Sequence, residues 1–341
     1  PAVVRSLGEA LAADNRLLRL YILDALQAIH SAEAFPYLLP LLAADGDLPG
    51  RTIEVIGSLG TAVVPELKTE FERAPYSRKR ALITTLARIR GRDAISFLLG
   101  RLLIDEPEIV KEITVAFKLE VNGIPDAERR DLGKRVEGFL ATPKVLGHPN
   151  AVIGAIRILG YLGEPAAKRT VLAFTAPPHS PSIRKIALLS LRRLLSEGSG
   201  NSETLRKLLS YLGESDTINI VQPALELLYS VDIPVLLSET LLTLARSESP
   251  PVRKFALRKL ANYDNARIAR ELIEHLMSED PLSRETAGES LGRLSSARVA
   301  RLDRLEATTD IDPARTRATE SKSHSDTLGK GGLGRIGTRS I

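Results

Sequence analysis

One serine of this chain stands in a spacing that can make a nucleophile. Gly288-Glu289-Ser290-Leu291-Gly292 is a Gly-x-Ser-x-Gly string. That spacing works on a strained strand-to-helix turn, which lifts the hydroxyl out of the fold. Here the flanking residues carry helical periodicity and no strand precedes them, so Ser290 is read as a packing position. Gly329-Lys330-Gly331-Gly332-Leu333-Gly334 satisfies Gly-x-Gly-x-x-Gly. In that pattern a pyrophosphate rests on a helix N-terminus that follows a strand. Neither element is expected around it. The five histidines are His30, His148, His179, His275 and His324; none precedes a Glu, and none pairs as His-x-x-x-His. Glu274-His275 is read as a solvated helix surface. Cysteine is absent, which excludes disulfides, thiolate metal sites and thiol nucleophiles. No catalytic residue, metal site or cofactor is assigned, and no enzymatic activity is expected.

The remaining candidates are cations. They gather as Lys79, Arg80, Arg88 and Arg90, as Lys185, Arg192 and Arg193, and as Lys254, Arg258 and Lys259. A row of Lys and Arg on one face can track a phosphate backbone. Three observations count against nucleic acid. There is no Trp, and aromatic residues make up 4% of the chain, leaving little for base stacking. Acidic residues (Asp24, Glu54, Glu226, Glu285, Glu289) occupy similar segments. Net charge is +5, but residues 311–341 hold six basic and three acidic residues, a net +3, so residues 1–310 carry only +2. Lys79, Lys185, Lys254 and Arg258 are therefore expected to meet an acidic protein surface.

Those cations must be held by helices, because the pattern around them recurs at helical spacing. An apolar residue or Ser is followed by Arg, two variable residues, a small or apolar residue, and Leu four positions later. The phrase reads Leu18-Arg19…Ile22…Leu26, Ile183-Arg184…Ala187…Leu191, Val252-Arg253…Ala256…Leu260 and Ser283-Arg284…Ala287…Leu291. Ser77-Arg78…Ala81 ends one residue late, at Leu86. A recurrence near thirty residues marks stacked repeats. Residues four before and four after the small position share a helix face, and the Arg lies just off it, within reach of acidic or carbonyl groups at the inter-helix turn. Nearly every segment reads as a helix of 11–16 residues with apolar positions at i, i+3, i+4 and i+7. Asp105-Glu106-Pro107, Pro177-Pro178, Pro250-Pro251 and Asp280-Pro281 punctuate them. No strand signal is found.

The segment Pro250-Pro251-Val252-Arg253-Lys254-Phe255-Ala256-Leu257-Arg258-Lys259-Leu260 resembles the second helix of a HEAT repeat. The likeness is to the short bacterial type also found in phycobilisome lyases. Ser182–Ala187 and Asp280–Arg284 match nearly as well, and the resemblance covers roughly residues 14–297. It implies an all-α, right-handed α-solenoid of about nine HEAT-like helical hairpins. Second helices are expected at 16–30, 48–60, 76–90, 108–121, 150–162, 182–196, 219–230, 251–262 and 282–295. It also implies that these helices line a concave, protein-binding face. Some copies are degenerate: Val152 and Val221 take the Arg place, and Arg51 sits one residue early. The family's alternatives are a nucleic-acid-binding solenoid, as in helical-repeat DNA glycosylases, and a bilin lyase-type subunit. The iron-holding His-Glu pairs of deoxyhypusine hydroxylase are absent.

Residues 1–13 read as an unpaired helix. Residues 120–150 form a longer repeat, and 196–202 a flexible loop. The helical pattern fades near 310 after a fresh helix begins at Arg298, leaving 1–310 as solenoid and 311–341 as a disordered tail. No stretch approaches twenty apolar residues without a charge, so no membrane span is expected, and a cytoplasmic location is read.

Overall fold

The computed structural model of the chain describes the backbone of residues 2–104, 106–195, 201–213 and 218–309, and side chains as far as residue 295. The segment 311–341, with its glycine string, and residues 196–200, expected as part of a flexible loop, lie outside the described residues. Among the described residues every regular element is helical, and no helix is long and apolar enough to cross a membrane. The chain is an all-α helical-repeat protein. It divides into two compact units, Pro1–Thr240 and Leu241–Ile341.

In the first unit the second helices of the hairpins are Arg16–Ile29, Leu48–Ser58, Tyr76–Ile89, Pro107–Glu120, Pro149–Leu162, Pro181–Leu194 and Ile218–Tyr229. Each packs against the next in chain order. In the second unit Pro250–Leu260 packs against Pro281–Thr309, and Ala266–Leu276 packs on the latter. All nine positions fall within two residues of their expected starts. Five of these nine helices open with Pro at the first position of the helix (Pro107, Pro149, Pro181, Pro250, Pro281), where its missing N–H costs nothing. Asn15 and Ser180 accept hydrogen bonds from the free amides of Leu18 and Ile183.

Three expectations are corrected. Residues 1–13 are not unpaired. Helix Ala2–Ala10 packs on Arg16–Ile29, and a Cβ at Gly8 would lie 2.3 Å from the Tyr37 ring. The first helices are not uniformly 11–16 residues long. Pro36 and Pro40 lack the N–H that a continuous helix needs, so residues 32–43 run as a 3-10 turn, a four-residue helix and a second 3-10 turn. Pro165–Ala167 likewise leads into a six-residue helix. No new helix begins at Arg298, since Pro281–Thr309 is continuous. The extra length of the fifth repeat, expected as a longer repeat, builds the fifteen-residue helix Asp126–Leu140 and a short helical turn, Pro143–Leu146.

The core is aliphatic. Leu26, Val55, Leu86, Ile113, Leu159, Leu191 and Leu228 are fully buried along the first unit, and Leu260 with Leu272 in the second. Burying each such side chain stabilises by roughly 1.5–3 kcal/mol. The closest second-helix approach with a named cause is at Gly160. A Cβ there would sit 2.6 Å from Ser190 Cβ, so glycine lets Pro149–Leu162 lie directly on Pro181–Leu194.

Candidate functional site

The repeated Arg has a structural task. Arg19 Nε donates to the Leu11 carbonyl at 3.1 Å, and Arg184 Nε to the Thr175 carbonyl at 2.8 Å. Arg253 Nη1 donates to the carbonyls of Ser247 and Glu248, both at 2.8 Å. Arg284 repeats this with Ser278 and Glu279 at 2.8 and 2.9 Å. In each case the acceptors lie at or just past the end of the preceding helix, where carbonyls have no intrahelical donor. The guanidinium satisfies them and sets the hairpin angle. Arg78 instead donates to the Glu70 carboxylate, at 2.9 Å.

The exposed side of the second helices is a charge mosaic. In the first unit it forms a continuous chain across four successive helices. Arg51 bonds Asp24 at 2.6 Å and also reaches Glu54; Glu54 lies 3.8 Å from Arg88; Arg88 reaches Glu120 at 3.0 Å. Arg80 and Glu112 add a rung at 3.4 Å. Arg258 and Glu289 make the same kind of rung in the second unit, at 3.3 Å. Each exposed pair contributes on the order of 0–1 kcal/mol. Their larger effect is to cancel charge locally.

The four sequence candidates fare differently. Lys185 is exposed on the second-helix surface. Lys254 and Arg258 stand one turn apart on Pro250–Leu260, half-buried, with Arg258 held by Glu289. Lys79 does not share that surface. Its ammonium sits 5.1 Å from the centroid of Phe71, a buried ring of the preceding helix. Arg80, the next residue, is exposed and meets Glu112.

Two further sets of residues escaped the sequence reading. Arg246 donates to both Glu271 carboxylate oxygens, from Nε at 2.8 Å and from Nη2 at 2.6 Å, and His275 Nε2 lies 3.5 Å from the same carboxylate. That bidentate bond holds the Glu271 carboxyl below its ordinary range. His275 is thus largely covered, not solvated as expected. Asp280 accepts from Ser283 Oγ at 2.6 Å and from Arg253 at 2.7 Å, which lowers its carboxyl to about 2. The second set lies between Pro149–Leu162 and Pro181–Leu194. Arg157, Tyr161, Ile186, Leu189, Arg192 and Arg193 border a cleft of about 610 Å³ floored by Ser190.

The hydroxyl of Ser290 is buried in a helix with no hydrogen-bond partner among the described residues. It has neither the exposure nor the base that nucleophilic attack needs. Among the described residues no group of three His, Cys, Asp or Glu could hold a metal ion.

These features define an α-helical repeat protein whose repeats are closed by arginine. Residues 238–321 match the family model described as HEAT repeats. No curated protein matches the chain. Among solved structures, an engineered protein aligns over 88% of this chain and 91% of its own, at 17% identity and a TM-score of 0.41. Human deoxyhypusine hydroxylase in complex with glycerol aligns over 94% of each chain, at 18% identity and a TM-score of 0.24. At these scores neither likeness bears on activity.

Proposed function

We propose that the chain is a non-enzymatic scaffold that captures a protein partner on the exposed side of its second helices. The carrying observation is the cross-helix pairing. Arg51, Arg80, Arg88, Arg192 and Arg258 each lie within 4 Å of a carboxylate on a neighbouring second helix. Nucleic-acid affinity comes from cations free to replace condensed counterions, and a cation already paired releases few. A mosaic of both signs instead suits a protein surface, where complementary charge fixes register and partner choice. Lys185, Lys254 and Arg258 are the contact residues we assign. Lys79, over its aromatic ring, acts in hairpin packing.

The test combines two measurements on the full chain at about 0.15 M salt. The first is binding of duplex DNA and of single-stranded RNA, with no affinity tighter than micromolar expected. The second is capture from a lysate of the native source by the parent chain and by the Lys185→Glu/Lys254→Glu/Arg258→Glu variant. The expected result is a defined protein that the variant loses while keeping the parent's melting transition. Nucleic-acid binding that the same reversals abolish would overturn the scaffold reading, as would identical capture by both chains.

A further inference from the structure

The charge chain of the second helices is broken at one place. Through Pro107–Glu120 the arginines of these surfaces sit against carboxylates. On Pro149–Leu162 and Pro181–Leu194 three arginines border a single cleft, and the pairing fails. Arg157 and Arg193 have no carboxylate within 4 Å among the described residues. Arg192 has only Glu226, at 3.6 Å, beyond hydrogen-bond length and with both side chains about half exposed. Three guanidinium groups with a single carboxylate among them, at 3.6 Å, leave this cleft with a net positive charge that favours an anion.

The cleft is also shaped. The Gly160–Ser190 contact locks the two helices together beneath it, which gives a fixed floor. Arg193 lies on the Tyr161 ring, 4.9 Å from the centroid. That stacking limits its rotamers. Ile186 and Leu189 supply apolar wall between the charges. Planar guanidinium forks match carboxylates in pairs, and the aliphatic wall matches a Leu or Val side chain beside them.

We propose that this cleft binds an acidic peptide segment of the partner protein, in which two or more Glu or Asp residues flank an aliphatic side chain. Arg157 and Arg193 take the carboxylates, and Arg192 exchanges Glu226 for the incoming acid. Ile186 and Leu189 receive the aliphatic group. The inference rests on the scaffold reading above and adds the chemistry of the partner.

The experiment uses the full chain and a fluorescein-labelled twelve-residue peptide of Glu, Asp and Leu, read by fluorescence anisotropy at about 0.15 M salt. Binding in the micromolar range is expected. Arg157→Ala/Arg193→Ala should weaken it at least tenfold, and Arg193→Lys, which keeps the charge but loses the fork, should weaken it by less. Arg5→Ala, on the exposed side of Ala2–Ala10 and outside the second-helix surface, should leave it unchanged. Melting curves of all variants should match the parent. A peptide with Leu replaced by Ser should bind more weakly. No binding below about 100 µM, or equal loss with Arg5→Ala, would overturn the cleft while leaving partner capture through Lys185, Lys254 and Arg258 standing. A single-stranded oligonucleotide of equal charge that displaces the peptide at lower concentration would overturn both.

Discussion

Replacing Gly160 by Ala should destabilise the protein, against the usual direction of that change inside a helix. Intrinsic propensity favours Ala over Gly by about 1 kcal/mol in a helix interior. At Gly160 the new methyl would meet Ser190 Cβ at 2.6 Å, Oγ at 2.7 Å and Cα at 2.9 Å. Carbon atoms rest about 3.5–4.0 Å apart, so the shortfall is close to an ångström. A rotamer change could move only the Oγ; the Cα belongs to the backbone. The helices must separate, and that loosens the fully buried Ile158, Leu159 and Leu191. Overpacking of this kind costs about 1–3 kcal/mol. Set against the propensity gain, the net loss should reach up to about 2 kcal/mol. Gly138 is the control: it is exposed on Asp126–Leu140, with nothing within 4 Å of an added Cβ. Gly138→Ala should stabilise by about 0.5–1 kcal/mol. Urea titrations followed by far-ultraviolet circular dichroism should therefore move the two midpoints in opposite directions. Adding Ser190→Gly to Gly160→Ala should recover part of the loss, because two of the three close atoms disappear. Equal shifts for both glycines, or no recovery in the double variant, would refute the close-approach reasoning.

Leu260→Ala, at a fully buried position, should cost on the order of 2–5 kcal/mol in a denaturant titration, whereas Lys254→Ala should stay within about 0.5 kcal/mol. Arg184→Ala leaves the buried Thr175 carbonyl without that donor and should cost about 1–3 kcal/mol; a smaller loss than Lys254→Ala would deny the arginine its structural task. Asp280 is held at about 2, below its ordinary 3.8, mainly by Ser283 and Arg253. A depressed carboxyl stabilises the fold above its unfolded value, and that contribution disappears as pH falls from about 4 to 2. Glu271, lowered by Arg246, adds in the same direction. The melting temperature of the parent should thus fall more steeply across that window than that of Asp280→Asn, and parallel curves would count against the assignment.

The second helices were legible because their signal is doubly written. Apolar spacing marks the buried face, and the Arg phrase marks the start, so Arg184 and Arg253 could be assigned to the inter-helix turn before any coordinate was known. The first helices carry no such phrase. Pro36 and Pro40 then cut the one near residue 40 into turns, which periodicity alone does not show. Lys79 keeps the spacing of Lys185 and Lys254 from its Arg and Ala, yet its ammonium lies over Phe71 of the preceding helix, a neighbour that spacing within one helix does not show. The ion pairs were partly written in the sequence, since Asp24 precedes Arg51 by 27 positions and Arg88 precedes Glu120 by 32, close to one repeat. Opposite charges one period apart are neighbours on adjacent second helices. Read only for the sum of charge, they resemble a weakly basic surface. The cleft at Arg157 was not legible, because it depends on how closely Gly160 lets two helices approach.

The chain of charges from Asp24 to Glu120 has redundancy built into its wiring. Arg51 serves both Asp24 and Glu54, and Arg88 stands between Glu54 and Glu120. Loss of any one carboxylate therefore leaves each arginine with a surviving partner. A surface wired in this way degrades gradually: the loss of one carboxylate redistributes partners without stranding an arginine, and only the removal of two adjacent acids isolates a cation. Such a face can drift in sequence at many positions while its local neutrality persists.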